Sequence, residues 1–225
     1  MKTITSPFTT TAFCLGLVLL MSGCSGMEKL ETENANLKNQ VNELEQVKKD
    51  YSDKLASSEQ RSEQEQANLK KELEQLRSEL NQKLEQQIRE NQALIQKVED
   101  LTIITLGEES LFGSGLADLT QSGAKTIDKI AEALAGYPSY HLRIEGHTDD
   151  KPIGNTLKPK FASNWELSTA RATAVVRYMV YGLNIDPQRL SAAGYAQYRP
   201  AADNSTKEGR ATNRRIRAVI FKEVQ

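Results

Sequence analysis

Two oppositely charged side chains bracket the most informative stretch of the chain. Residues 144–171 open with "IEGHTDD" and close with "NWELSTAR". Asp149 follows a strand-like segment and Arg171 sits inside a helix-like one. A carboxylate at a strand end and a guanidinium near a helix start can converge on one small ligand. They suit a zwitterion, which needs an anion beside its ammonium and a fork of donors beside its carboxylate. Taken alone, Asp149 also reads as a turn residue, and Arg171 as a solvated residue or an ion-pair partner of Glu166 or Asp150. His141 and His147 are the only histidines, and neither has a cysteine near it. That is too sparse for a metal site, and no activated nucleophile accompanies His147. The expected chemistry is therefore binding and not catalysis, with no metal and no cofactor.

The elements that must hold these groups are readable. Leu142 and Ile144 alternate with Arg143 and Glu145, the period of a half-buried strand, and Gly146 permits a change of direction after it. Asn164 reads as a helix N-cap, with Glu166 in the first turn where the helix dipole favours negative charge. The helix 165–181 turns Leu167, Ala170, Ala174, Val175, Tyr178 and Met179 inward and stops at Gly182. Strands are expected at 101–106, 140–145, 189–193 and 214–221, with helices at 119–134 and 202–210 between them. This order predicts an α+β class, a βαβαβ(α)β sandwich with helices on one side of a mixed sheet.

Four blocks carry a family resemblance: "EGHTDDKPI", "NWELSTARA", "RLSAAGYAQYRP" and "NSTKEGRATNRRIRAVI". In this order, across residues 101–224, they resemble the OmpA-like peptidoglycan-binding domain of the OmpA/Pal/MotB-like family. The resemblance implies binding to diaminopimelate in the peptidoglycan stem peptide, with Asp149 taking its ammonium end and Arg171 a carboxylate. It implies that Thr148 and Leu167 shape the pocket, by main-chain donors and by packing. Asn213 and Arg214 match the family's "NRR" block; ligand binding and a structural role (Asn at a bend, Arg on a buried carboxylate) both remain open for them. Arg217 stands where the family often has Glu. The lysine-bearing loop 151–163 reads as solvated or as an extra contact to the glycan strand.

Upstream, residues 27–100 contain no Gly or Pro and are rich in Glu, Gln, Lys and Leu. Met27, Asn34, Val41, Lys48 and Leu55 recur every seven residues, with Leu30, Leu37, Leu44 and Tyr51 as the matching series. That pattern predicts a coiled coil, and with it a homo-oligomer. Leu69, Leu73, Leu76, Leu80, Leu84 and Ile88 resume the apolar stripe with a shifted phase. At the start, an apolar run precedes "MSGC", which reads as a secretory signal and resembles a bacterial lipobox. The resemblance implies acylation of Cys24 and a lipid anchor in the membrane. Ser25 implies the outer membrane, periplasmic face, of a Gram-negative bacterium. The expected domains are a signal peptide (1–23), an acylated cysteine and linker (24–26), a helical coiled-coil stalk (27–100) and the wall-binding head (101–225).

Charge adds an exclusion. The stalk balances at −5 and the head at +3. A surplus of three is too mild for a nucleic-acid partner. Two other functions share parts of the pattern. A MotB-like flagellar stator or ion-channel subunit carries similar blocks, and an envelope machine can use the same head. A wall hydrolase would need catalytic groups that the sequence does not assemble.

Overall fold

The computed structural model describes residues 8–113 and 115–222, with side chains from residue 26 onward. The Cys24 side chain, and with it the expected acylation site, lies outside the described residues, as do all side chains of the expected signal segment 1–23. The chain divides into two units, Met1–Gln66 and Ala67–Gln225.

Helix α1 spans Phe8–Lys83. In the first unit every described side chain on it is exposed. Met27, Leu30, Leu37, Val41, Leu44, Tyr51 and Leu55 are each more than half exposed, although they hold the heptad positions.

The second unit is built on a five-stranded sheet in the order β1-β2-β5-β3-β4. Its strands are β1 (Ala93–Val98), β2 (Leu101–Gly107), β3 (Tyr140–His147), β4 (Leu190–Gly194) and β5 (Arg215–Lys222). The β3–β4 pair is parallel and the other pairs are antiparallel. The remaining helices are α2 (Glu85–Arg89), α3 (Glu108–Leu111), α4 (Gln121–Ala135), α5 (Asn164–Tyr181) and α6 (Lys207–Asn213). One face of the sheet supplies Ile104, Leu106, Leu142, Ile144, Ile216, Ala218 and Ile220 to the core. Ile127, Ile130 and Leu134 of α4 and Val175 and Met179 of α5 pack onto them. The expected one-sided sandwich is what forms.

The boundary between stalk and head falls well before residue 100. Leu73, Leu76, Leu80 and Leu84 are buried in the head core, and β1 pairs along its whole length with β2. The stripe read as a resumed coiled coil is thus the apolar face of a core helix. An amphipathic stripe specifies only that apolar surface must cover it, and here the sheet does so. The strand was hidden for a related reason. Its turn, Glu99–Asp100, places Glu99 at φ 52°, a conformation usually given to Gly or Asn, so no turn signal marks the hairpin.

Truncating a fully buried leucine with an incompletely collapsing site costs about 2–5 kcal/mol. We expect Leu80→Ala to lower head stability by that amount and Leu44→Ala to leave it unchanged, measured by urea unfolding of the full chain followed by the fluorescence of Trp165, which lies in the head. Equal responses would contradict the earlier boundary.

Candidate functional site

The site begins where α5 meets the ends of β3 and β4. Gly146 and Gly194 face each other in register on the two strands. A Cβ on Gly146 would stand 2.1 Å from the Ser168 carbonyl oxygen, and one on Gly194 would stand 2.2 Å from Thr169 Oγ1. Only glycine lets the helix lie this close. The helix starts with a capping box formed by Ser163 and Glu166, one residue earlier than the Asn164 cap expected from sequence. Asn164 does different work: its Nδ2 donates to the carbonyl oxygens of Lys151 (2.9 Å) and Asp149 (3.4 Å). Ser168 Oγ accepts the Ala196 N–H at 3.1 Å, and Ala196 O accepts the Thr148 N–H at 2.9 Å. The Asp149 carboxylate accepts the Lys151 N–H at 3.0 Å. The loop after β3 is therefore tied at both sides before any ligand arrives.

Asn164, Leu167 and Arg171 lie on one face of α5, at helical spacings of three and four. They line a cavity of about 150 Å³ together with Thr148, Asp149, Ile153, Arg214 and Glu108. Five of the six residues expected at the binding site thus meet at one place. Asn213 does not. It is fully buried, its Oδ1 accepts the N–H groups of Ala201 and Ala202, and its Nδ2 donates to Ala202 O and Asn204 Oδ1. Its amide is consumed in holding the 201–204 loop, which makes it structural.

The cavity walls alternate in charge. Arg171 is 2% exposed, donates to Glu108 Oε1 at 2.6 Å and gives its Nε–H to the Leu116 carbonyl at 3.0 Å. Arg214 donates to Asp149 Oδ2 at 3.0 Å and to Glu109 Oε1 at 2.8 Å. Glu108 Oε2 is buried without a hydrogen bond among the described residues, 3.8 Å from Arg214 Nε. Burial pulls the Arg171 guanidinium below the ordinary arginine range, while Glu108 pulls it back up. Burial also opposes the charge on Arg214, but its hydrogen bonds to Asp149 and Glu109 outweigh that and raise it. Arg171 is therefore paired with Glu108, and not with the Glu166 or Asp150 that sequence offered. Nothing about Glu108 singled it out beforehand; its position directly after β2 was the available hint.

The opposite face of the sheet braces the strand that delivers Asp149. Glu145, 2% exposed, accepts from Arg143 at 2.9 Å and from Arg217, directly across on β5, at 3.0 Å. Arg217, the departure from the family pattern, thus has a partner of opposite charge. His147 Nε2 lies 3.8 Å from Glu145, too far for a hydrogen bond, and the ring stacks on Tyr195 with centroids 5.3 Å apart. Burial raises the Glu145 carboxyl, but the hydrogen bonds and charges of Arg143 and Arg217 hold it below its ordinary value. Burial lowers His147. Arg215 is pulled down to about 10 by burial and by Arg217, and it donates to the carbonyls of Asn213 and Arg199.

Two expectations follow. His147 binds its proton more weakly when folded, so the unfolded chain takes up more protons once pH falls below about 6.5. Glu145 contributes stability that is present above the ordinary carboxylate range and is lost as pH falls through its lowered folded value. Urea midpoints should therefore fall from pH 7 towards pH 5, and His147→Gln should flatten that limb; an unchanged slope would remove His147 from the account. Breaking a buried ion pair from one side costs about 3–5 kcal/mol. Glu108→Gln should approach that loss in the same assay, whereas Glu109→Gln, on an exposed partner, should cost under about 1 kcal/mol.

Comparison with known proteins places these features in a family. The OmpA family model matches residues 111–214. Motility protein B of Bacillus subtilis is 32% identical over 150 residues, covering 67% of this chain and 56% of that protein. Outer membrane protein Omp38 of Acinetobacter baumannii is 44% identical over 109 residues, covering 48% and 29%. Outer-membrane lipoprotein YfiB of Pseudomonas aeruginosa is 30% identical over 115 residues, covering 51% and 64%. The chain thus spans between about a third and two thirds of the length of these relatives. Among solved structures, a MotB-like protein from Desulfovibrio vulgaris superposes with a TM-score of 0.64 at 26% identity, covering 71% of this chain and 97% of that one. The cell wall anchor of the T6SS from Pseudomonas aeruginosa gives 0.57 at 30% identity, covering 64% and 97%. With the sheet, the capped helix and the charged cavity in place, residues 111–214 of this chain are an OmpA family domain.

Proposed function

We propose that this protein is a wall anchor: its head binds the diaminopimelate of the peptidoglycan stem peptide, without a covalent bond and without turnover. One observation carries the reading, the alternation of Asp149, Arg214, Glu108 and Arg171 around a cavity of about 150 Å³. The four charges sum to zero, and the fold pairs each with a neighbour of opposite sign, Arg171 with Glu108 and Arg214 with Asp149. A zwitterion inserts into such a set without changing its net charge. Its ammonium goes to Asp149, where Glu108 Oε2, which makes no hydrogen bond among the described residues, is a second acceptor. Its carboxylate goes to Arg171, with Arg214 beside it, in the forked geometry that guanidinium favours. The cavity has about half the volume of the smallest drug-sized pockets, which fits the end of an amino acid.

In this reading Cys24 is acylated and holds the chain at the periplasmic face of the outer membrane. The "MSGC" motif supports this, as does a relative named as an outer-membrane lipoprotein. The exposed heptad residues of the first unit support a homo-oligomer formed by the stalk. A second reading, a MotB-like stator subunit, is favoured by the match to motility protein B. Palmitate labelling separates the two: label lost on Cys24→Ala supports the lipoprotein, and absence of label on the natural chain supports the stator reading.

The full chain should co-sediment with purified diaminopimelate-type sacculi. Losing one charge-assisted contact costs about 2 kcal/mol, roughly thirty-fold in affinity, so Asp149→Asn and Arg171→Lys should each weaken pelleting by that factor. Wild type remaining in the supernatant would overturn the wall-binding assignment.

A further inference from the structure

We infer that the stacked pair Trp165–Tyr198 is a saccharide subsite, taking one N-acetylhexosamine ring of the glycan strand whose stem peptide occupies the charged cavity. The inference rests on the wall-binding reading above and adds a second ligand class to it. The two rings stack with centroids 5.4 Å apart and planes inclined by 27°. Trp165 is nevertheless 47% exposed and Tyr198 64%. A ring pair formed to stabilise the fold gains most by burying its area, since each large aromatic can remove about 150–250 Å² from water. This pair leaves that gain unrealised and instead presents a preformed aromatic surface.

Neighbouring residues show how firmly the surface is held. Tyr195 and Tyr198 bound one turn, with the Tyr198 N–H donating to Tyr195 O at 3.2 Å. Tyr195 stacks on buried His147 and carries the Arg199 guanidinium 3.9 Å above its ring, so that side of the turn is fixed. Tyr198 projects from the same turn to Trp165. Trp165 in turn sits in the first turn of α5, where its main-chain N–H donates to Ser163 Oγ at 3.1 Å. The backbone under both rings is therefore fixed, and their mutual stacking orders the side chains, as a preorganised subsite requires.

Position selects the ligand. Trp165 adjoins Asn164, which lines the charged cavity, and Tyr198 lies two residues beyond Ala196, whose carbonyl holds the Thr148 N–H. The cavity itself is too small to take a peptide terminus and a sugar together. A hexosamine ring carries a face of C–H groups with partial positive charge, and the negative face of an aromatic ring attracts it. The pair has no formal charge, which matches an uncharged N-acetylated sugar and not a second ionic group.

Three probes on the full chain test this: a diaminopimelate-containing stem peptide, the same peptide joined to its disaccharide, and a chito-oligosaccharide alone. Trp165 is the only tryptophan in the sequence, so its fluorescence reports directly on the surface. The expected result is a spectral change with the disaccharide-peptide that the sugar-free peptide does not reproduce. Trp165→Ala and Tyr198→Ala should weaken the disaccharide-peptide by about three- to ten-fold and leave the sugar-free peptide unchanged, which also shows that the variants fold. If the variants bind both peptides as wild type does, or weaken both equally, the saccharide subsite is wrong while the peptide site stands. If the natural chain binds neither peptide, both readings fall. Tighter binding of the free oligosaccharide than of the disaccharide-peptide would separate the aromatic surface from the wall site and overturn the combined arrangement.

Discussion

The site depends on one close approach. Where Gly146 and Gly194 face Ser168 and Thr169, the strand ends put no side chain between themselves and α5. From that contact the rest follows by short links. Ser168 reaches Ala196, Ala196 reaches Thr148, and Asn164 gathers the carbonyls after Asp149. A single methyl group at either glycine would meet backbone or hydroxyl atoms well inside van der Waals distance, and the helix would have to lift. Lifting it would carry Arg171 away from Asp149 without altering either residue.

Held at that distance, the charged groups pose an electrostatic problem that the fold solves internally. A guanidinium as buried as Arg171 is costly if left alone, because desolvation exceeds what a distant counter-charge returns. Glu108 supplies the counter-charge from a short helix after β2, and Asp149 and Glu109 do the same for Arg214. The site's own charges are therefore balanced within the protein, and a ligand must match their pattern to exchange with it. That condition discriminates more sharply than attraction by a surplus charge, which would accept any ion of the right sign.

Much of this was legible in the residues. The alternation before Gly146 and the periodic apolar face after Asn164 gave β3 and α5, and the family blocks pointed to Asp149, Thr148, Leu167, Arg171 and Arg214. What was hidden had physical causes. Leu73 to Leu84 satisfy a helix that packs on a sheet as well as one that packs on another helix, so periodicity could not choose between them. The β1 turn uses Glu99 where a glycine would have announced it. Glu108 lies far from Arg171 in sequence and meets it only through tertiary packing. Asn213 matches a family motif, but a motif records that a residue is required without recording whether ligand or backbone requires it.

The sheet order also sets a schedule. β5, the last of the described strands, lies between β2 and β3, and Arg214 immediately precedes it. Until those residues are available, β2 with its hairpin partner and β3 with its parallel neighbour have no backbone partner joining them, and the cavity lacks one wall. Pairings between segments this far apart in the chain are intrinsically late to form. The sheet of a polypeptide emerging from its amino end is thus kept open until β5 has appeared. Closure of the sheet is deferred until β5 has appeared, and a chain interrupted before Arg214 yields neither a closed sheet nor a complete cavity.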